Sequence, residues 1–289
     1  MDYGYRQSWI NGAIRAAEDM KDVLLKRNYS TGARHAQKFA DDLKACEKFF
    51  LPDRDYDQKR KGGLLSRQTP LEDYADLVSS PYPVWSAIYG VYDADNRVLD
   101  GDKRVLLVRE DEKYISVEVA SFLQSYHRWA FLPGKAFFAK QDPSIFKKIP
   151  GGRELYISFD PCMPVSQEQA QGMAEEQITD CFAVIEALIV LGTDNSILHH
   201  IKQDIKKQKR REKKGKKPFF DFWVLDVPFS SHQAQRDGPR GTHVSPRFHL
   251  RRGHLRRLRS GKVTWVRPTT VGSKDNGIIH KKYQVKPSA

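Results

Sequence analysis

Apolar positions in the first fifty residues recur at alternating steps of three and four. Trp9, Ile10, Ala13, Ile14, Ala17, Met20, Val23 and Leu24 make one stripe, the spacing of a helix with one buried face. Asn28-Tyr29-Ser30-Thr31-Gly32 interrupts it. A second stripe follows through Ala33, Ala36, Phe39, Leu43, Cys46, Phe49 and Phe50, and Pro52 stops it. This predicts a helical hairpin over 1–51. Residues 52–70 are polar and contain glycine, which reads as a loop or linker. After Pro81 the pattern changes to strand. Val84–Tyr92 is aromatic and β-branched. Val105–Val108 and Tyr114–Val119 flank Glu110-Asp111-Glu112-Lys113 as the arms of a hairpin. Tyr126 to Phe138 is rich in aromatics, a core segment or a pocket wall, and Leu155–Phe159 is a further strand.

Ser166-Gln167-Glu168-Gln169 has the form of a capping box. The helix it opens carries Ala170, Met173, Ala174, Ile178, Cys181, Phe182, Ile185, Leu188 and Ile189 on one face, and Gly192 is placed to end it. Its nearly continuous apolar end predicts burial against a sheet. Lys202–Lys217 holds ten Lys or Arg; mutual repulsion predicts a mobile loop or a fraying helix extension. Phe219–Val227 returns to strand character. His254–Leu258 and Val263–Pro268, around Arg259-Ser260-Gly261-Lys262, have hairpin spacing. Ile278–Val285 is a candidate closing strand. No period of 20–50 residues repeats. These elements define an α+β fold: a helical hairpin (1–51), an α+β core (71–198) with a mainly antiparallel sheet and the 166–191 helix packed on it, and a basic β region (199–289) completing that core.

Charge changes the functional picture. The chain has 289 residues and a net charge of +13, yet His199 to Ala289 alone holds 24 Lys and Arg against 6 Asp and Glu. The body is therefore mildly acidic and the last third strongly cationic, which suits a polyanionic partner. In the proposed hairpin, alternation puts arginines and Trp265 within reach of one face. Guanidinium groups neutralise phosphates and an indole stacks on an unpaired base. The candidate nucleic-acid contacts are Lys213, Lys214, Lys216, Lys217, Arg247, Arg251, Arg252, Arg256, Arg257, Arg259, Lys262 and Trp265. The alternative is that these arginines pair with acids of the body and that Trp265 is core.

His243, His249 and His254 lie close in sequence among these arginines. Imidazoles beside guanidinium groups suit general acid–base cleavage of a phosphodiester without metal, so the three are candidate catalytic residues, His249 and His254 foremost. No metal site is expected, since HExxH is absent and dense positive charge disfavours a divalent cation. Asp53–Asp57 fails as a calcium loop, with Gln58 and Leu64 at its sixth and twelfth positions. GxxxxGK[ST], GxGxxG and GxSxG are all absent, so no cofactor is expected. Three dispersed cysteines (Cys46, Cys162, Cys181) and the lack of a leader-like N-terminus fit a cytoplasmic protein. The longest apolar stretch, Cys181–Leu191, is too short to span a bilayer.

The C-terminal third resembles a family of uncharacterised proteins from phages, prophages and bacterial mobile elements. The resemblance rests on Lys213-Lys214-Gly215-Lys216-Lys217-Pro218-Phe219, on His243 through Leu258, on Ser260-Gly261-Lys262-Val263-Thr264-Trp265-Val266, and on Val271-Gly272, Gly277 and Lys282-Tyr283-Gln284-Val285. It continues more weakly around Pro81-Tyr82-Pro83-Val84-Trp85. The family brings no established activity; it implies a host-cell cytoplasmic setting and an encounter with nucleic acid or a host factor. Three functions follow as expectations: a phage-type protein binding single-stranded or structured RNA or DNA, a metal-independent nuclease or toxin-like enzyme, and a non-enzymatic host-interaction protein.

Overall fold

The computed structural model describes residues 3–51, 54–55, 65, 69, 71–92, 103–131, 133–149, 152–194, 196–217, 219–226, 247–251, 254–266, 269–271 and 273–278. Helices α1 (Tyr3–Lys26) and α2 (Ser30–Ala45) fold back on each other. Asn28 makes the turn with φ of 62°, a left-handed conformation that Asn adopts more readily than most residues. Lys44 reaches across to Glu18 at 2.9 Å. Strands β1 (Glu47–Phe50), β2 (Arg54–Asp55), β3 (Val84–Tyr92), β4 (Lys103–Glu110), β5 (Tyr114–Leu123), β6 (Arg128–Phe131), β7 (Lys135–Ala139), β8 (Phe146–Ile149), β9 (Gly152–Leu155) and β10 (Ser158–Asp160) follow. Next come α3 (Gln167–Leu191), β11 (Ile197–Ile201), α4 (Ile205–Lys213) and β12 (Phe222–Asp226). The small strands β13 (Arg247–Arg251), β14 (His254–Arg257), β15 (Val263–Val266), β16 (Thr269–Val271) and β17 (Ser273–Ile278) complete the list.

The main sheet runs β10-β7-β5-β4-β3-β1-β12-β11, with β2 on β3 and β6 on β5. Most of its pairings are antiparallel, but β1 is parallel to both neighbours, β3 and β12. Helices cover both faces. Phe50, Ile88, Val105, Leu107, Ala120 and Phe131 pack with the α1–α2 hairpin. Phe49, Trp85, Ala87, Leu106 and Val108 pack with α3. Burial on two sides is why Val105–Val108 is continuously apolar rather than alternating. The fold is the expected α+β arrangement, with the hairpin, the sheet and the long helix in three layers.

The hairpin helix α2 ends earlier than its apolar stripe predicts. Phe49 and Phe50 form strand, not helix, because alternation sends one ring into each core, which one helical face cannot do. Lys48, 3% exposed, turns its ammonium back onto the carbonyls of Lys44 and Cys46 and so satisfies the C-terminus of α2. Burial lowers its pKa. The aromatic run splits between uses: Phe131 and Phe138 are core, while Trp129 lies over α1 so closely that a Cβ on Gly12 would fall inside its indole. The predicted strand Leu155–Phe159 divides into β9 and β10 around exposed Tyr156.

The long helix α3 has its capping box: Ser166 Oγ accepts from Gln169 N at 3.1 Å, and Gln169 Oε1 accepts from Ser166 N at 3.0 Å. Its second half is buried on all sides. The sheet covers one side; the same core also takes in the 3-10 segment Leu71–Leu77 and the β14–β15 hairpin, through Leu255, Val263 and Trp265.

A group of charges is trapped between α2 and the sheet. Arg109 places Nε and Nη2 at 2.9 Å from Asp42 Oδ2 and Nη1 against Glu118. His35 Nε2 lies 3.0 Å from Glu118 Oε1. Glu118 is 1% exposed. Burial raises its pKa despite the adjacent guanidinium. Burial, reinforced by Lys135 and Arg109, pushes His35 down to about 4. On the opposite face the Tyr89 hydroxyl donates to Asp180, with Arg104 Nε 3.8 Å from the same carboxylate.

Candidate nucleic-acid interface

Of the two expectations for the Lys202–Lys217 block, a mobile loop or a fraying helix extension, the structure has the helix, and it is capped at both ends. Asp204 caps α4, its Oδ1 accepting from Lys206 N at 2.7 Å and Lys207 N at 3.3 Å. At the other end Gly215 has φ of +65°. Gly215 N donates to Glu212 O and Lys216 N to Arg211 O, each at 2.9 Å. That is the paired closure of a Schellman motif, which favours glycine at the left-handed position. Arg210, Arg211 and Lys213 sit in the last turn, where cations meet the negative end of the helix dipole.

Side chains then strap the following strand to the body. Gln208 exchanges hydrogen bonds with the backbone of Phe219 in both directions. Buried Gln7, from α1, does the same with Phe220 at 2.7 and 3.0 Å. Arg211 donates from Nε and Nη2 to Lys217 O at 3.1 and 3.0 Å. Its guanidinium lies 3.7 Å over the Phe219 ring. Lys206, Lys207, Lys209, Arg210, Lys213, Lys214, Lys216 and Lys217 are exposed. Among the described residues, the acidic partner of this block is Glu18, 3.7 Å from Lys217 Nζ. Of the residues expected to meet nucleic acid, Lys213, Lys214, Lys216 and Lys217 are exposed at the C-terminal end of α4. Asp204 and Gly215, the cap and stop that reveal the helix, are visible in the sequence.

The β14–β15 hairpin forms, with Leu255 opposite Trp265 and Arg257 opposite Val263. Its apolar face turns inward. Trp265 is 6% exposed and is a core residue, not a surface for base stacking; alternation divides the faces correctly, but α3 and the 3-10 segment claim the one bearing the indole. Tyr74 donates its hydroxyl to Leu255 O at 3.1 Å. Arg257 is held by Asp76 through Nη2–Oδ1 (2.7 Å) and Nη1–Oδ2 (3.0 Å), and by Asp73 O, so its charge is matched within the molecule. Lys262 lies 3.5 Å from Asp194. Arg256 and Arg259 are exposed. His254 is half-buried opposite Val266. Arg247, His249 and Arg251 are described as backbone positions of β13 only, and His243 and Arg252 lie outside the described residues, as does most of the candidate strand Ile278–Val285.

Among the described residues, two concavities bear on this architecture. The larger, about 750 Å³, lies between α1, β5–β6 and α3; its charges are mixed, Arg15, Arg104 and Arg128 facing Asp19, Glu176 and Asp180. The smaller, about 570 Å³, sits against α4 and is predominantly cationic. Among the described residues, no group of three His, Cys, Asp or Glu is placed to hold a metal ion, and no helix is long and apolar enough to cross a membrane.

A three-layer α+β protein with a fixed cationic helix on its surface is what the geometry defines. Comparison with known families identifies its kind. The AcrVA2-like model, the anti-CRISPR type V subtype A2 family, matches residues 80–273, and the chain belongs to that family. The match runs from the approach to β3 through α4 and the β14–β15 hairpin. It confirms the phage and mobile-element character that the C-terminal motif implies. No curated protein and no solved structure matches the chain.

Proposed function

We propose that this protein opposes a type V CRISPR system by engaging nucleic acid, RNA in the first instance, through the cationic face built on α4. The observation that carries the reading is the ordered presentation of the block: a helix capped at both ends, tied to the body by Gln7, Gln208 and Arg211, with its ammonium groups facing water. A fold that needed this charge only for solubility would not have to cap and brace the helix that carries it. Preorganised cations lose less entropy on meeting phosphates than mobile ones do. The family supplies the setting, since anti-CRISPR proteins typically bind the host CRISPR machinery, which is built of protein and RNA. Arg256 and Arg259 extend the same chemistry.

Retention of labelled RNA on the immobilised protein should fall steeply with salt, by about 0.7–0.9 in logarithmic slope for each phosphate neutralised. Charge reversal at Lys209, Lys213 and Lys216, all exposed, should abolish retention while leaving the thermal melt unchanged. The same variant should fail to protect an invading plasmid in cells carrying a type V CRISPR system that the wild-type protein disables. A folded variant that binds and protects like wild type would remove the basis of the reading.

A further inference from the structure

The cleft against α4 has a composition more specific than a cationic patch. Lys207, Arg210 and Arg211 line it from the helix, at positions three and four apart that share a face. Lys202 enters from the end of β11, and Phe219, Phe222 and Ile201 supply its apolar lining. Asp204 is the acid in its walls, and its Oδ1 accepts from the first amides of α4. The amides of Gln7 and Gln208 are likewise engaged by the backbone of Phe220 and Phe219. Among the described residues, no carboxylate pairs with Lys202, Lys207 or Arg210. The donors left to meet a ligand therefore come mainly from cationic side chains.

Arg211 adds a flat surface. One face of its guanidinium lies on the Phe219 ring, and two of its N–H groups are fixed on Lys217 O. These contacts hold the guanidinium in place, and Arg211 and Phe219 both line the cleft. A guanidinium plane fixed in this way is a stacking platform for a nucleobase. From this combination we infer that the cleft is a binding site for one unpaired nucleotide of a single strand: phosphates on Lys202, Lys207 and Arg210, the base on Arg211. A duplex, whose bases are already stacked on each other, offers this cleft only its backbone. An acidic peptide would satisfy the cations but has no planar group for Arg211. The inference rests on the nucleic-acid reading above and narrows it to a strand type and a set of residues.

Fluorescence anisotropy with labelled U12, dT12 and a 12-base-pair duplex tests it, using the full chain. R211K keeps the charge and loses the plane; F219L keeps an apolar side chain and loses the ring beneath it. Each should weaken U12 or dT12 about tenfold, a typical loss for one stacked base, and leave the duplex unchanged. The two single strands show whether the sugar matters, and selective loss on either supports the site. The double variant K207A/R210A should weaken all three ligands and lower the salt slope by about 1.5. If K207A/R210A weakens binding while both R211K and F219L act equally on single strand and duplex, or on neither, the nucleotide site is wrong and the cationic-surface reading stands. If polyglutamate displaces U12 as well as unlabelled U12 does, the cleft is an acidic-peptide site and the inference is overturned. If wild type retains no nucleic acid at all, both readings fall together. Thermal melts confirm that the variants are folded, and either single variant suffices if the other is not.

Discussion

Removing the guanidinium from the Arg109 cluster should expose how the buried charges are balanced. Glu118 is 1% exposed, and its described neighbours are Arg109 and His35. The change R109M keeps most of the aliphatic volume but strands that carboxylate, and it also releases Asp42. Breaking one partner of a buried ion pair costs roughly 3–5 kcal/mol, most of it the penalty of the orphaned charge. For a chain of this size that is a fall in Tm of about 10 °C. Equilibrium urea unfolding at pH 7.5, followed by tryptophan fluorescence, measures it. E118Q in the R109M background removes the stranded charge and should recover more than half of the loss, giving a coupling of about 2 kcal/mol in the double-mutant cycle. The R109M penalty should also shrink in acid. Because burial raises the Glu118 pKa above its ordinary 4.5, the shrinkage starts at milder acidity than for a surface glutamate. A loss under about 1 kcal/mol for R109M, or strictly additive costs, would refute the reasoning.

His35 gives a second pH dependence. Its folded pKa of about 4 lies below the ordinary 6.5, so its contribution is complete above 6.5 and is lost as pH falls towards 4, by at most about 3 kcal/mol; H35Q should flatten that part of the stability profile. G12A places a methyl group inside the Trp129 indole and should cost about 1–3 kcal/mol as the ring is displaced, visible as a change in tryptophan emission together with Cm. S166A removes one half of the α3 capping box and should cost about 1 kcal/mol in urea unfolding.

What could be read from the sequence depended on whether the deciding contact was local. The capping box of α3 lies within one segment and is present in the structure, whereas the single apolar face read for its second half gives way to burial all round. The β14–β15 hairpin, whose turn and alternation are adjacent in the chain, is present as well. Phe49 and Phe50 satisfy a helical stripe as well as they satisfy strand alternation; what decides is pairing with β3 and with β12, which no local pattern encodes. Alternation put Trp265 on a face without saying which face meets water; Leu71–Leu77 and α3, remote in sequence, settle that. For α4, repulsion within the lysine run left loop and helix open, and the local signals that decide for helix are Asp204 and Gly215. The cleft beside it could not be seen, because one of its braces, Gln7, sits 213 residues from the strand it holds.

The parallel seam of β1 with β12 has a consequence for how the molecule comes into being. Phe50 stacks on Phe222 at 4.2 Å, yet the ribosome makes the second ring long after the first, roughly ten to thirty seconds later at ordinary elongation rates. Until then β1 is a raw border with its amides and an aromatic surface unsheltered, a template for wrong partners. A premature stop ahead of Phe222 would therefore do more than delete the cationic region. It would leave a torn sheet, and such fragments should be recovered in aggregates or on chaperones rather than as soluble truncated protein.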